Sequence, residues 1–294
     1  MEFRLCDLKQ VSIECVGIIL SGTISARLGM IGVRQTIFAV LIGLSGVLAS
    51  AQIASESELA AISARGRVLF EYDQAAWHAT DAVVASHPPK EIMGRYIARK
   101  TEGGWEVAFG HLNQAKDAFV IGVMAMPGAS PQEFTVKRIE PPQIETGFFL
   151  SAARAIDTVA PGFSGASGRT YNASVIPAAG GQLYVYLEPG QNDADGDYFP
   201  LGADVRYLVS ADGTTIVETR QMHKSLIPKA QVPAGTKIES GYHTHVLSEI
   251  PEDSDVFVVL SRRPPIPEFV GSRTALYSVS TDGSIRFIEK MKKH

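Results

Sequence analysis

Cysteine is almost absent: the 294 residues include two, Cys6 and Cys15. Both precede residue 52, so the chain beyond that point has none. This excludes disulfides, thiolate metal ligands and a cysteine nucleophile there. A basic surplus is also missing. Lys and Arg number 27 against 31 Asp and Glu, for a net charge of −4. No basic stripe clusters anywhere, which argues against a nucleic-acid surface. There is no glycine-rich phosphate loop and no dinucleotide fingerprint. No repeat of solenoid length and no long low-complexity tract occur. The longest apolar run, Thr36 to Leu48, is short of the about 20 residues a bilayer-spanning helix needs.

That run has the three parts of an export signal. Arg27 and Arg34 supply positive charge, the apolar core follows, and Ala49-Ser-Ala51 offers small residues to a signal peptidase. The expectation is a targeting segment over residues 1–51 and a working chain that begins at Gln52. An uncleaved membrane anchor is the alternative. A signal starting at Met30 would be well proportioned, which makes Met30 the better first residue. The segment carries four Lys/Arg and three Asp/Glu, so its removal leaves 23 basic against 28 acidic residues. The expected location is periplasmic or extracellular, with no membrane association beyond the signal. An exported chain without disulfides depends on its apolar core.

The spacing of Leu59, Ile62, Val68 and Leu69 predicts a helix from Glu56 to about Ala76, interrupted at Gly66. Alternating runs then predict strands at 94–99, 105–109, 118–124 and 132–139, with Gly103-Gly104 as a hairpin turn. Thr146 to Val159 reads as a helix, and Ala160 to Gly168 as turn chemistry. Further strands are expected at 183–187, 205–209, 215–221, 237–246, 275–279 and 284–288. Asp-Gly turns at 212–213 and 282–283 join two of these pairs. Asp253 to Leu260 can form a helix capped by Asp253 or Ser254. The fold class is α+β, with a mixed, mostly antiparallel sheet and flanking helices. An N-terminal α/β region over 52–165 and a C-terminal α/β domain over 180–294 are expected.

One constellation offers chemistry. In Gly241-Tyr-His243-Thr-His245 the two histidines are two apart, which puts both imidazoles on one face of a strand. Ten residues on, Asp255 falls in the first turn of the expected helix, where its carboxylate can reach back to the strand end. Two His, one carboxylate and a water make an open tetrahedral zinc site of the kind that activates water. This segment resembles the JAMM (MPN-type) metallopeptidase family, whose pattern is a strand ending in His-Ser/Thr-His-Pro followed by Pro-Ser-x-x-Asp opening a helix. Pro251-Glu-Asp-Ser-Asp255 fits the second element with Glu252 in place of Ser, and Val246 stands where the family has Pro. The loop between the two elements is one residue shorter than usual. The resemblance covers about residues 205–289. It implies zinc held by His243, His245 and Asp255, Glu218 in the position of the general base, and hydrolysis of an amide bond in a protein or peptide. Glu252 and Val246 favour the alternative, a non-catalytic binding or scaffold module that keeps the fold.

Four other signals carry less. His223 is a further candidate for the site, but five residues after Glu218 it faces the opposite side of a continuous strand, and a surface or partly buried histidine at a strand end is the better reading. Asp193, Asp195 and Asp197 alternate as calcium ligands do, with Asp204 at the twelfth position, but Tyr198 stands where such a loop needs glycine; a solvated turn is the better reading. The serines of Gly162 to Gly168 miss the Gly-x-Ser-x-Gly spacing of a nucleophile elbow. Trp77-His78 and Trp105 read as packing residues.

Overall fold

The computed structural model describes residues 53–192, 195, 199–228, 233 and 236–291. The expected signal, with Cys6, Cys15 and Met30, lies outside the described residues, as do Asp193, Asp197 and Tyr198. No helix among the described residues is long and apolar enough to cross a membrane.

The chain begins with one long helix, α1 (Glu56–Ala85), started by the Ser55 hydroxyl, which accepts the Glu58 N–H. It runs nine residues past the expected end because Ala75, Ala76, Ala79 and Ala82 are strong helix formers. Gly66 does not interrupt it. A Cβ on Gly66 would lie 2.5 Å from Val256 Cβ and 2.6 Å from the Asp253 carbonyl oxygen. The missing side chain lets a second helix cross α1 at close range.

Strands β1 (Arg95–Thr101), β2 (Gly104–Leu112), β3 (Phe119–Pro127) and β4 (Phe134–Glu145) form an antiparallel meander. Helix α2 (Phe148–Val159) follows, its apolar face formed by Phe149, Leu150, Ala152, Ala153 and Ala155. A second antiparallel sheet is ordered β5-β6-β8-β9 and built from β5 (Tyr171–Pro177), β6 (Leu183–Pro189), β8 (Val205–Val209) and β9 (Ile216–Gln221). The short strands β7 (Leu201–Gly202) and β10 (Leu226–Ile227) pair beside it. The third sheet, β11-β12-β13-β14, holds β11 (Gly241–Thr244), β12 (Glu268–Gly271), β13 (Ala275–Val279) and β14 (Ile285–Lys290). Its β11–β12 pair is parallel because α3 (Asp253–Ser261) crosses between the two strands. The molecule is thus α+β with mostly antiparallel sheets.

Asp-Gly turns close the β8–β9 and β13–β14 hairpins as expected. Gly213 and Gly283 both adopt a φ of +79°, a conformation side chains resist. The expected strand over 237–246 is paired only at Gly241–Thr244, and the strand expected at 132–139 continues to Glu145.

Three apolar layers join these elements. Leu69, Tyr72, Ala79 and Val83 of α1 pack on Val107, Phe109 and Val123 of the first sheet, with Tyr186, Met222 and Phe257 completing the cluster. Phe149, Ala152 and Ala155 of α2 fill the space between Ile97 and Phe119 of the first sheet and Val175 and Val185 of the second. Ile62 of α1 meets Val256, Val259, Val270 and Val279 in the third. The first two clusters draw on residues from both sides of 165–180.

Candidate metal centre

Four buried side chains converge where the second and third sheets meet the start of α3. One ligand atom each from His223, His243, His245 and Asp255 lies within 4.8 Å of every other, so the group is close enough to hold a metal ion. Strand β11 places His243 on its inner face, and His245, whose N–H donates to the Gly271 carbonyl, follows two residues on. Tyr242 and Thr244 point out to solvent, as strand alternation requires.

Asp255 sits at the third position of α3. Its Oδ2 accepts the Glu252 N–H at 2.7 Å. The cap residue is therefore Glu252, one position before the expected Asp253 and two before Ser254, and Asp255 caps the helix while facing the histidines. A carboxylate in a first turn is also favoured by the helix dipole.

The fourth member is His223. It follows the end of β9, and with Met222 it turns inward and is buried, whereas Glu218 points out. The reading of His223 as a surface or partly buried histidine is corrected: it is a member of the cluster. A signal for this existed in the sequence. The hairpin centred on Asp212-Gly213 pairs Val205 with Gln221, which brings Asp204 beside Met222 and His223. The Met222 N–H donates to the Asp204 carbonyl at 3.1 Å.

The hydrogen bonds fix which nitrogen of each ring faces the centre. His223 Nδ1 lies 2.8 Å from Asp204 Oδ1, and His243 Nδ1 lies 2.8 Å from Glu268 Oε1. His245 Nδ1 lies 2.9 Å from the Ile250 carbonyl, which also takes the Ser248 hydroxyl proton. Carboxylates and carbonyls only accept, so each Nδ1 carries a proton. Each Nε2 then presents its lone pair inward. His245 Nε2 is 2.9 Å from His223 Nε2 and 3.1 Å from His243 Nε2. Asp255 Oδ1 is 3.2 Å and 3.0 Å from the Nε2 atoms of His223 and His243, and Oδ2 is 3.2 Å from that of His245. Asp255 Oδ1 is also buried without a hydrogen-bond donor. Lone pairs at such separations repel unless a cation lies among them. These five distances, taken to the nearer carboxylate oxygen, fall slightly inside the about 3.3 Å edge of a tetrahedron with metal–nitrogen bonds of about 2.05 Å.

In the metal-free state protons take the cation's place. Burial pulls His223 and His243 down, but Asp204 and Asp255 outweigh it at His223 and leave it well above the usual histidine range. At His243, Asp255 and Glu268 do the same and push it up to about 9. Burial alone would raise Asp255, yet the three histidines hold it well below the usual carboxylate range.

Around this centre stands a second layer. Arg262 pairs with Glu268, which orients His243. Glu252 meets Arg220 through two bonds of 2.7 and 2.8 Å. Asp253, fully buried, receives Arg65, Arg206 and the Tyr186 hydroxyl. Acceptors bound to the far nitrogen of each ring orient it and raise its donor strength, as in known metal sites.

Of the sequence candidates, His243, His245 and Asp255 come together. Glu218 does not join them: it is exposed on β9 opposite Leu208, and its side chain forms no hydrogen bond or ion pair among the described residues. Asp195 pairs with Arg169 across a 2.7 Å bond. No protein-family model, no curated protein and no solved structure matches this chain.

Proposed function

We propose that this is an exported zinc-binding protein whose metal is held by four of its own side chains in a closed site, with a structural rather than a hydrolytic role. The observation that carries the reading is the fourth ligand, His223. Three imidazoles and one carboxylate make a donor set suited to zinc and its first-row neighbours. Structural zinc sites take four protein ligands, whereas hydrolytic ones keep a position for water. With His223 as fourth ligand that position would be filled, and all four side chains are buried. The role follows from the connections. The second and third sheets share no hydrogen-bonded strand pair among the described residues, and a metal bound to His223, His243, His245 and Asp255 would tie them to each other and to α3.

Metal analysis of the purified protein tests this directly. One zinc per chain is expected, lost in His243→Ala. Protein that purifies without zinc and takes up none on addition would end the proposal.

A second reading keeps the hydrolase chemistry implied by the JAMM resemblance, and the order His243-x-His245 then Asp255 favours it. In that reading His243, His245 and Asp255 would hold the metal with His223 withdrawn, and the metal would supply an activated water. Glu218 would have to approach as base to act on an amide bond of a protein or peptide. Peptidase activity lost in Glu218→Gln with zinc content unchanged is its expected signature; activity that survives the change removes Glu218 from the chemistry.

A further inference from the structure

Beside the metal centre, but separate from it, lies a cavity of about 230 Å³ lined by Glu58, Ala61, Ile62, Arg65, Arg206, Arg220, Ile250 and Glu252. Three arginines from three elements meet in it. Each is anchored on one side by a buried carboxylate, and each keeps donors free on the other. Arg65 uses Nε and Nη2 on Asp253, leaving Nη1. Arg220 uses Nε and Nη2 on Glu252, also leaving Nη1. Arg206 gives Nη1 to Asp253 and lies 4.9 Å from the centre of the Tyr184 ring, leaving Nε and Nη2. Among the described residues these remaining N–H groups have no acceptor.

Three guanidiniums share the two carboxylates that bond to them, Asp253 and Glu252, and the third carboxylate of the surroundings, Glu58, binds none of them. Glu58 stands at the rim, exposed and without an ion pair among the described residues. Ala61, Ile62 and Ile250 supply an apolar wall. Guanidiniums already fixed in orientation bind an oxyanion with little further loss of side-chain freedom.

We propose that this cavity is a binding site for an oxyanion group, a carboxylate or a phosphate, borne by a ligand whose apolar part rests on Ala61, Ile62 and Ile250. The site does not depend on the metal. It borders it, because the Ile250 carbonyl holds His245 and the Glu252 N–H holds Asp255.

The test titrates the purified protein with acetate and, separately, methyl phosphate at constant ionic strength, following the arginine Nε–H signals by NMR. Saturable shifts at Arg65, Arg206 and Arg220 are expected with at least one anion, and the tighter anion identifies the source of the group. The charge-balanced pair R220Q/E252Q should weaken binding about fivefold or more, since one fork of donors is gone. Glu58→Gln, an exposed change that leaves the core untouched, should tighten it about twofold by removing a nearby negative charge. No saturable shift below about 50 mM for either anion overturns the site, because a preorganised charged pair of this type binds more tightly than that. Unchanged affinity in R220Q/E252Q, or no gain in Glu58→Gln, overturns it equally.

Discussion

Gly66→Ala sets two known effects against each other, and the structure decides which wins. In an exposed helix interior, alanine in place of glycine gains about 1 kcal/mol. Here the new methyl would sit 2.5 Å from Val256 Cβ, 2.8 Å from Val256 Cγ1 and 2.6 Å from the Asp253 carbonyl oxygen. Carbon atoms prefer about 3.5–4.0 Å, so the helices would have to part by roughly 1 Å. The Asp253 carbonyl is backbone and cannot rotate away, and its residue is pinned by Arg65, Arg206 and Tyr186. Overpacking of this kind costs about 1–3 kcal/mol and sometimes more. Because two of the three contacts cannot relax through a rotamer change, the upper part of that range applies. A net loss of about 2 kcal/mol follows, or roughly 5 °C in melting temperature for a chain of this size. The same shift moves Asp255, two residues after Asp253 on α3, away from the histidines. Zinc affinity should fall about tenfold, as for other losses of ligand support. Thermal denaturation and a competition titration with a zinc chelator measure both. A variant that melts at or above the wild-type temperature with unchanged affinity would refute the reasoning, since helix propensity would then have outweighed the contact.

The other expectations follow from the centre and the leader. Removing the metal with a chelator should lower the melting temperature by several degrees, since zinc at about 100 times its dissociation constant adds about 2.7 kcal/mol; identical melts with and without chelator would count against a bound metal. Asp204→Asn keeps an acceptor for His223 Nδ1 but loses the charge, so zinc affinity should drop about 10–100-fold with the fold intact, as measured by chelator competition. The metal-free protein should lose stability with rising pH. His243, raised to about 9 when folded, stabilises the metal-free fold fully below about pH 6.5 and ceases to do so as pH passes about 9. The loss is on the order of 3 kcal/mol. With zinc bound the ring is already proton-free at Nε2, so that loss disappears; parallel pH–melting curves in both states would rule this out. N-terminal sequencing of protein recovered outside the cytoplasm should start at Gln52, and a start before residue 30 would contradict the cleavage reading.

What was legible in the sequence depended on how local each signal was. Both Asp-Gly hairpins and α2 were read within a residue or two, because turn chemistry and a 3.6-residue apolar spacing act over a few neighbours. His243 and His245 were legible for the same reason: strand alternation alone puts them on one face. Asp255 was found through its distance along the chain from that strand. The errors were of another kind. Gly66 was read as a helix breaker because glycine lowers helix propensity, but a crossing helix contacts it from 187 or more residues along the chain, which no local rule sees. The Lys237–Val246 strand was overextended because alternation was counted without knowing that β12 offers only four partners.

His223 is the instructive miss, and it bears on how the site should be understood. A lone histidine at a strand end has no spacing partner, so the bland reading won. The information was present but split over two sheets: the β8–β9 hairpin register puts Asp204 beside His223, while His243 and His245 belong to a strand of the third sheet. A water-activating site needs three ligands and an open position, and a local motif supplies those three. The ligand that motif does not contain comes from the opposite sheet, with its own buried carboxylate to orient it. With a metal bound, an oriented fourth ligand across a sheet junction would close the site and couple elements that share no strand pairing. Arg206, Tyr186 and Arg220 cross the same junction from the second sheet to Asp253 and Glu252. Two buried polar networks and one group of side chains close enough to hold a metal ion thus converge on the first turn of α3. A turn so constrained suits a fixed joint better than a site that must admit substrate and release product.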